Sequence, residues 1–249
     1  IRNCDWSSDV CSSDLFQGAA AALSRKDPQR PYLNLDIGGG TTNLAWGIGG
    51  EIVATGSVFV GARHVRVVPG SYTITSLSPY AEAAFAELGI AKGPGQTLTR
   101  AEVDALLTFY EQLLAAVVAG ADPSALSAAS RLHIQSPCMV PRFDLAPMCT
   151  FSGGVGALMH RLLQGENIDG QAQRSSPLSP TTLAGGYEGS PGSAVDGSVN
   201  ARTTTPFGDL GVDLAARLLR EPRWRRACVP VSAELAGRAT SMGLMRHAT

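Results

Sequence analysis

Two glycine-rich segments contain the residues of this sequence that could carry out chemistry. In the first, Asp36 and Ile37 are followed by a run of candidate phosphate-binding residues, Gly38, Gly39, Gly40, Thr41, Thr42 and Asn43. Glycines allow close approach of a ligand, and successive N–H groups in such a turn form a nest for phosphate oxygens. Asp36 could orient a nucleophile or hold Mg²⁺ through a water molecule. We therefore predict a phosphate loop in which Asp36 is the catalytic and metal-binding carboxylate.

Two common phosphate-binding patterns do not fit this segment. No Gly-Lys-Ser/Thr follows the glycines, so the segment is not a Walker A loop. Asn43 stands where a dinucleotide fingerprint would have its last glycine, and the pattern that follows predicts a strand instead of a helix. A hairpin in which Asp36 only caps the turn remains the alternative.

The second segment comes about 110 residues later and runs from Phe151 to Gly156. Its candidate nucleotide-binding residues are Ser152, Gly153, Gly154 and Gly156. A backbone without side chains could lie flat against an adenine or a ribose, close to a helix N-terminus. Taken alone, the segment could equally be a tight turn between a strand and a helix.

The strands predicted around both segments indicate an α/β domain. Tyr32–Ile37 alternates apolar and polar residues, and Asn43–Ile48 and Glu51–Val60 predict two further strands. Gly49 and Gly50 suit a hairpin turn between the last two. Met148–Ser152 predicts a buried strand that leads into the second glycine segment, with a helix starting at Ala157.

Helix signals are clearest in the middle of the chain. Ser78 and Pro79 open a helix that stops at Gly89. Thr99 and Glu102 form a capping box at the start of a longer helix. Its apolar stripe is Val103, Leu106, Leu107, Tyr110, Leu113, Leu114 and Val117. Later in the chain, Asp209 can cap a helix with an apolar face.

Composition limits the classes of partner. Lys and Arg total 20 against 21 Asp and Glu, so the net charge of −1 does not favour nucleic acid as a partner. The sequence has no run of 18 apolar residues, so it predicts no membrane span. The five cysteines are odd in number and form no C-x-x-C pair, which favours a reducing, cytoplasmic setting over a disulfide framework.

Taken together, the two glycine segments resemble the second phosphate loop and the adenosine motif of the actin, heat-shock-protein-70 and sugar-kinase ATPase superfamily. Within it, the sequence is similar to the ethanolamine ammonia-lyase reactivating factors of the EutA family. That similarity extends over about residues 32–163 and 207–249 and rests on YLNLDIGGGTTNLAWGIGG, YTITSLSPYAEAAFAELGI, FSGGVG and FGDLGVDLAARLL.

The resemblance implies an α/β fold of the actin-like, ribonuclease-H-like kind, with a mixed sheet flanked by helices. It implies ATP or ADP with Mg²⁺ as cofactors and ethanolamine ammonia-lyase as the partner. A reactivating factor uses ATP to release damaged cobalamin from the lyase, so that intact adenosylcobalamin can enter, and it binds no cobalamin itself. Cytoplasmic localisation, with association to a microcompartment, follows from the same resemblance.

The resemblance also indicates an incomplete copy, because the N-terminal subdomain with the first phosphate loop is missing. Ala62 and Ala157 replace residues that are usually Gly and Glu in the family. ATPase activity is implied for the full-length family protein, and we expect little from this chain. The alternatives are a small-molecule kinase of the same superfamily and a degenerate, non-catalytic fragment.

We divide the chain into four parts. Residues 1–30 are a non-native or disordered segment: the first fifteen resemble translated sequencing adaptor, and residues 16–30 form a short helix and a polar link. Residues 31–166 are the nucleotide-binding domain, residues 167–205 an insertion, and residues 206–249 the truncated end of the same domain. Twenty of the 39 residues in the insertion are Gly, Ser, Thr or Pro. Few apolar residues remain that could be buried to offset the entropy lost when the segment is ordered.

Limited proteolysis tests the predicted insertion. We expect the first cuts between Asn167 and Thr205, because an unpacked segment is open to a protease. The fragments would be identified by mass spectrometry. Protection of this whole stretch from protease and from hydrogen exchange would contradict the division of the chain.

Overall fold

The computed structural model describes residues 16, 20–166, 168 and 205–227. Residues 1–15, nearly all of the predicted insertion, and residues 228–249 lie outside the described part. Within the described ranges, no helix has the length and apolar character needed to cross a membrane.

A five-stranded mixed sheet forms the centre of the fold. Its strands are β1 (Tyr32–Ile37), β2 (Thr42–Ile48), β3 (Glu51–Val58), β6 (Ile134–Ser136) and β7 (Met148–Ser152), in the order β6-β3-β2-β1-β7. The first three strands form an antiparallel meander, and β7 lies parallel to β1. A separate antiparallel pair consists of β4 (Val65–Val67) and β5 (Ile74–Leu77).

Helices surround the sheet. They are α1 (Ala21–Lys26), α2 (Pro79–Leu88), α3 (Arg100–Val118), α4 (Ala128–Leu132), α5 (Gly153–Leu163), α6 (Gly211–Arg220) and α7 (Pro222–Ala227), with one 3₁₀ turn at Pro123–Ala125. The predicted α/β class and the mixed sheet flanked by helices are confirmed.

Local sequence signals determine most element boundaries. Ser78 accepts a hydrogen bond from the N–H of Ala81, and Gly89 closes α2 in the left-handed conformation. Both hydrogen bonds of the Thr99–Glu102 capping box are present at the start of α3. The Gly49-Gly50 turn has positive φ at both glycines, as a two-residue hairpin requires.

The core lies on the apolar face of the sheet. Leu33, Leu35 and Ile37 of β1 are fully buried and belong to the same apolar cluster as Phe151 of β7. All seven residues of the predicted stripe on α3 join this cluster, as do those on the inner face of α6. Burial of this stripe anchors α3, as its 3.6-residue spacing predicts.

Several boundaries differ from the predictions. The third strand ends at Val58, two residues early, because Phe59 and Val60 turn away and the N–H of Phe59 bonds to the carbonyl of His133. The predicted domain boundary at residue 30 also shifts. Helix α1 begins at Ala21, and Ala20 and Ala21 pack with Phe16 against Tyr32 and Ala45, so this segment belongs to the packed domain.

Candidate functional site

The loop that joins β1 to β2 is a four-residue turn, and we call residues 38–41 the glycine loop. Ile37 and Thr42 form the last strand pair, and the N–H of Gly38 donates to the carbonyl of Thr41 at 2.9 Å. The carbonyls of Gly38 and Gly39 accept hydrogen bonds from the N–H groups of Ala62 (3.1 Å) and Arg63 (2.6 Å). The loop carbonyls therefore face the protein.

The remaining amides of the glycine loop suit an anion. Within the described ranges, no hydrogen bond uses the N–H of Gly39, Gly40 or Thr41. The loop is held closely from behind, because a Cβ on Gly61 would lie only 2.6 Å from the carbonyl carbon of Gly39. A rigid turn with three free donors has the chemistry of a phosphate nest.

Asp36 ends β1 beside this loop and takes part in a chain of polar side chains between β1 and β7. Thr150 donates to Asn34 Oδ1 at 2.8 Å, Asn34 Nδ2 donates to Ser152 Oγ at 3.1 Å, and Ser152 Oγ donates to Asp36 Oδ1 at 2.8 Å. We call these four residues the polar ladder. It fixes the orientation of the Asp36 carboxylate.

Burial raises the pKa of Asp36 above its usual range, and the hydrogen bond from Ser152 opposes this rise. Because folding raises this pKa, ionised Asp36 lowers the free energy of unfolding. The cost is present above the folded-state pKa and disappears as the pH falls below the ordinary value of 3.8. Carboxylates maintained at such a cost are frequent at functional sites.

The second glycine segment is the first turn of a helix. The prediction of a turn over Gly153–Gly156 with a helix from Ala157 is wrong, since α5 already begins at Gly153. Gly153 has φ +75°, and a Cβ there would lie 2.6 Å from the Ile37 carbonyl oxygen and 3.0 Å from Asp36 Oδ1. This close approach explains the glycine and brings the start of α5 against the end of β1.

One cavity of about 480 Å³ brings the two segments together. Gly38 and Gly39 line one side, and Gly154 and Val155 of α5 line another. This volume lies within the range of small-molecule sites. The cavity opens at the carboxyl ends of the parallel strands β1 and β7, where ligands of open α/β sheets usually bind.

None of the remaining predicted site residues lines this cavity; these are Asp36, Gly40, Thr41, Thr42, Asn43, Ser152, Gly153 and Gly156. Thr42 is fully buried, and its hydroxyl donates to the Val60 carbonyl at 2.8 Å, so it fixes the loop. Asn43 is paired with Asp36 across β1 and β2. Ser152 is buried in the polar ladder, and Gly156 lies against Phe151.

Sequence reasoning missed the charged residues of the cavity, Arg63, Arg161 and Asp209, as parts of a site. Arg63 Nε lies 3.4 Å from Asp209 Oδ2, and Arg161 Nε lies 2.7 Å from Glu166 Oε2. The prediction that Asp209 is the helix cap is wrong by one residue, because the N-cap of α6 is Leu210. Asp209 lies just before it, and its Oδ1 accepts the N–H of Gly211 at 3.0 Å. No short-range motif links these residues, because contacts distant in sequence bring them together.

A larger cavity, of about 830 Å³, lies at the opposite end of the sheet. Trp46, Met148 and Trp224 line it, and none of the predicted site residues does. It contains Arg30 and Arg223 but no residue of either glycine segment, so we assign the functional site to the smaller cavity, which Gly39 and three charged side chains line.

The described residues contain no group of three or more His, Cys, Asp or Glu side chains that could hold a metal. Asp36 is a single carboxylate with Oδ1 bonded to Ser152. A single carboxylate would fit Mg²⁺ only through one of the water molecules of the ion, and Asp36 would be the residue that holds it.

Fold and site define an α/β domain with a glycine-lined cavity at the carboxyl edge of its parallel strands. The family model described as "Ethanolamine utilisation protein EutA" matches residues 15–169, more than half of the chain. The chain belongs to this family, as the sequence resemblance suggested. No curated protein matches the chain.

The contrast between Gly153 and Gly154 tests the geometry of the second segment. We expect Gly153→Ala to lower the free energy of unfolding by about 2 kcal/mol, because it combines positive φ with a backbone clash. Gly154→Ala is the matched control: a Cβ there meets nothing within 4 Å. That variant should gain about 0.5 kcal/mol, since alanine favours a helix. Urea denaturation measures both changes. Equal stability of the two variants would show that Gly153 is not constrained.

Proposed function

We propose that the chain carries one half of the ATP site of an ethanolamine ammonia-lyase reactivating factor, in an actin-like ATPase fold. The observation that carries this proposal is the cavity lined by both the glycine loop and the start of α5. Asp36 does not line it, but its carboxylate lies against Gly153 at the start of α5. Family membership supports the link to ethanolamine utilisation. We also propose that the chain binds ATP, acts on the lyase and is located in the cytoplasm.

Each segment has one task in this proposal. The N–H groups of Gly39, Gly40 and Thr41 bind phosphate oxygens, which need donors and no side chain in the way. Gly154 has no Cβ and leaves the cavity wall open for the adenosine part. Mg²⁺, if bound with the phosphates, would neutralise part of their charge. Asp36, held by Ser152, orients the attacking water.

The lyase partner distinguishes this function from a small-molecule kinase. A kinase needs a carboxylate base that faces its second substrate. Asp209, the carboxylate that lines this cavity, already bonds to Gly211 and pairs with Arg63. We therefore propose that a protein partner, rather than a sugar or an acid, stimulates ATP hydrolysis. The reactivating factor would open the lyase and release damaged cobalamin without binding it.

The first test is nucleotide binding by the 249-residue chain. We expect ADP–Mg and ATP–Mg to bind in the high-micromolar range or weaker, about −5 kcal/mol, because the one phosphate loop among the described residues would leave the outer phosphate in water. Gly154→Leu should weaken binding at least about tenfold by filling the cavity, while the Gly154→Ala control binds within about threefold of wild type. Isothermal titration measures all three. Equal binding by the Leu variant, or no binding at millimolar nucleotide, would contradict the assignment.

The second test concerns Asp36 and uses a version of the protein restored to full length, in which the nucleotide cleft is complete. We expect Asp36→Asn to leave nucleotide affinity largely intact and to lower ATP hydrolysis by about 10²-fold, since a positioned water is lost. Hydrolysis is measured with and without ethanolamine ammonia-lyase, together with cobalamin release from the damaged enzyme. Unchanged turnover would remove Asp36 from the mechanism. Stimulation by small hydroxy compounds instead of the lyase would favour a kinase.

A further inference from the structure

Arg63 lies against the glycine loop on the solvent-exposed side of the domain. The chain returns from β3 through Gly61 and Ala62, and the N–H of Arg63 bonds to the Gly39 carbonyl at 2.6 Å. The Arg63 side chain runs along the same glycine: a Cβ on Gly39 would lie 2.9 Å from Arg63 Cδ. Backbone and side chain of Arg63 are therefore both positioned by the loop whose amides are free.

Asp209 anchors the far end of this side chain. Its Oδ2 lies 3.4 Å from Arg63 Nε, and its Oδ1 accepts the N–H of Gly211 at the start of α6. Asp209 is 6% exposed, so its orientation is fixed by burial as well as by these bonds. The contact uses Nε, and within the described ranges no hydrogen bond involves either Nη atom of Arg63.

The second arginine of the cavity is bound differently. Arg161 pairs with Glu166 at 2.7 Å, a contact among exposed groups at the end of α5. Arg63 instead combines a positioned Nε with two uncommitted Nη groups beside an amide nest. A planar guanidinium with two available donors matches the geometry of a phosphate group.

We infer that Arg63 is a phosphate ligand of this cavity and donates through its Nη groups to the anion bound by the Gly39–Thr41 amides. The ligand class is a polyphosphate, and the inference rests on the proposed nucleotide site. The role belongs to Arg63 because its stem follows Gly39 and its Nε is held by Asp209.

Inorganic tripolyphosphate is the probe, because it tests the anion site without the adenosine part. Its binding to the 249-residue chain is followed by NMR of backbone amides and arginine Nε–H groups at fixed low salt. We expect the Gly39, Gly40 and Thr41 amides and the Arg63 Nε–H to shift together and to saturate. Arg63→Ala should raise the dissociation constant by about tenfold or more, as expected for losing charge-assisted hydrogen bonds. Arg63→Lys should recover part of the affinity through its charge alone.

Arg66→Ala is the matched control. Arg66 carries the same charge three residues away, is exposed, and does not line the cavity. Its loss should change affinity by less than about twofold, since separated surface charges are screened. The Arg63 side chain is 62% exposed, so its alanine variant should fold, as thermal melting will show. If it does not, the lysine variant carries the comparison.

The outcomes separate this inference from the nucleotide proposal. Unchanged affinity in Arg63→Ala, or an equal loss in Arg66→Ala, overturns the role of Arg63 even if ADP binds. If Arg63→Ala loses tripolyphosphate but ADP binds no better than pyrophosphate, the role of Arg63 stands and the nucleotide proposal fails. A wild-type chain with no saturable tripolyphosphate binding overturns both.

Discussion

The parallel pairing of β1 with β7 is the constraint on which the site depends. Five residue pairs align the two strands, from Tyr32 and Met148 to Asp36 and Ser152. Because both strands run in the same direction, the segments after them leave the sheet at the same edge. The glycine loop and α5 thus meet at one cavity although they are more than 100 residues apart in sequence. The meander and the core on the other face hold these two strands in place.

Backbone contact at this edge is closer than ordinary side chains allow. The glycine loop lies against Gly61, and α5 begins against the Ile37 carbonyl oxygen through Gly153. These glycines reduce the local stability of turns and helix starts, because glycine loses more conformational freedom on folding than other residues. The apolar cluster formed by β1 and α3 compensates for that loss. Core and site are therefore contiguous, since Ala62 and Val155 belong to the apolar cluster and also line the cavity.

Short-range signals in the sequence predicted much of the fold. The alternation in Tyr32–Ile37, the Gly49-Gly50 turn and the Thr99–Glu102 capping box each act within a few residues, and the structure has all three. The sequence predicts too late a start for α5 because glycine is a poor helix former, and the packing of Gly153 on β1 overrides that preference.

Long-range contacts explain what the sequence could not reveal about the site. Asp36 and Gly38–Gly40 were identified because one short segment holds them. Arg63 and Asp209 are 146 residues apart, and their contact depends on how the chain returns to the sheet edge. Asn34 and Thr150 left a weaker signal: polar residues two positions before Asp36 and Ser152 in two predicted strands. Residues two positions apart in a strand point to the same face of the sheet. The four polar residues therefore indicate one common polar face only if the two strands are known to be neighbours.

The polar ladder has a consequence for how the chain reaches its fold. A shift of β7 by one residue would turn its side chains to the opposite face, which the core excludes. A shift by two residues would retain the faces but change the pairs. In one direction Asn34 would lie opposite Ser152 and Tyr32 opposite Thr150; in the other, Asn34 would lie opposite Met148 and Asp36 opposite Thr150. Buried hydroxyl and amide groups would then lose partners, at about 1–3 kcal/mol for each unsatisfied group. Slipped registers are thus frustrated states, and the residues that orient Asp36 also discriminate against misfolding.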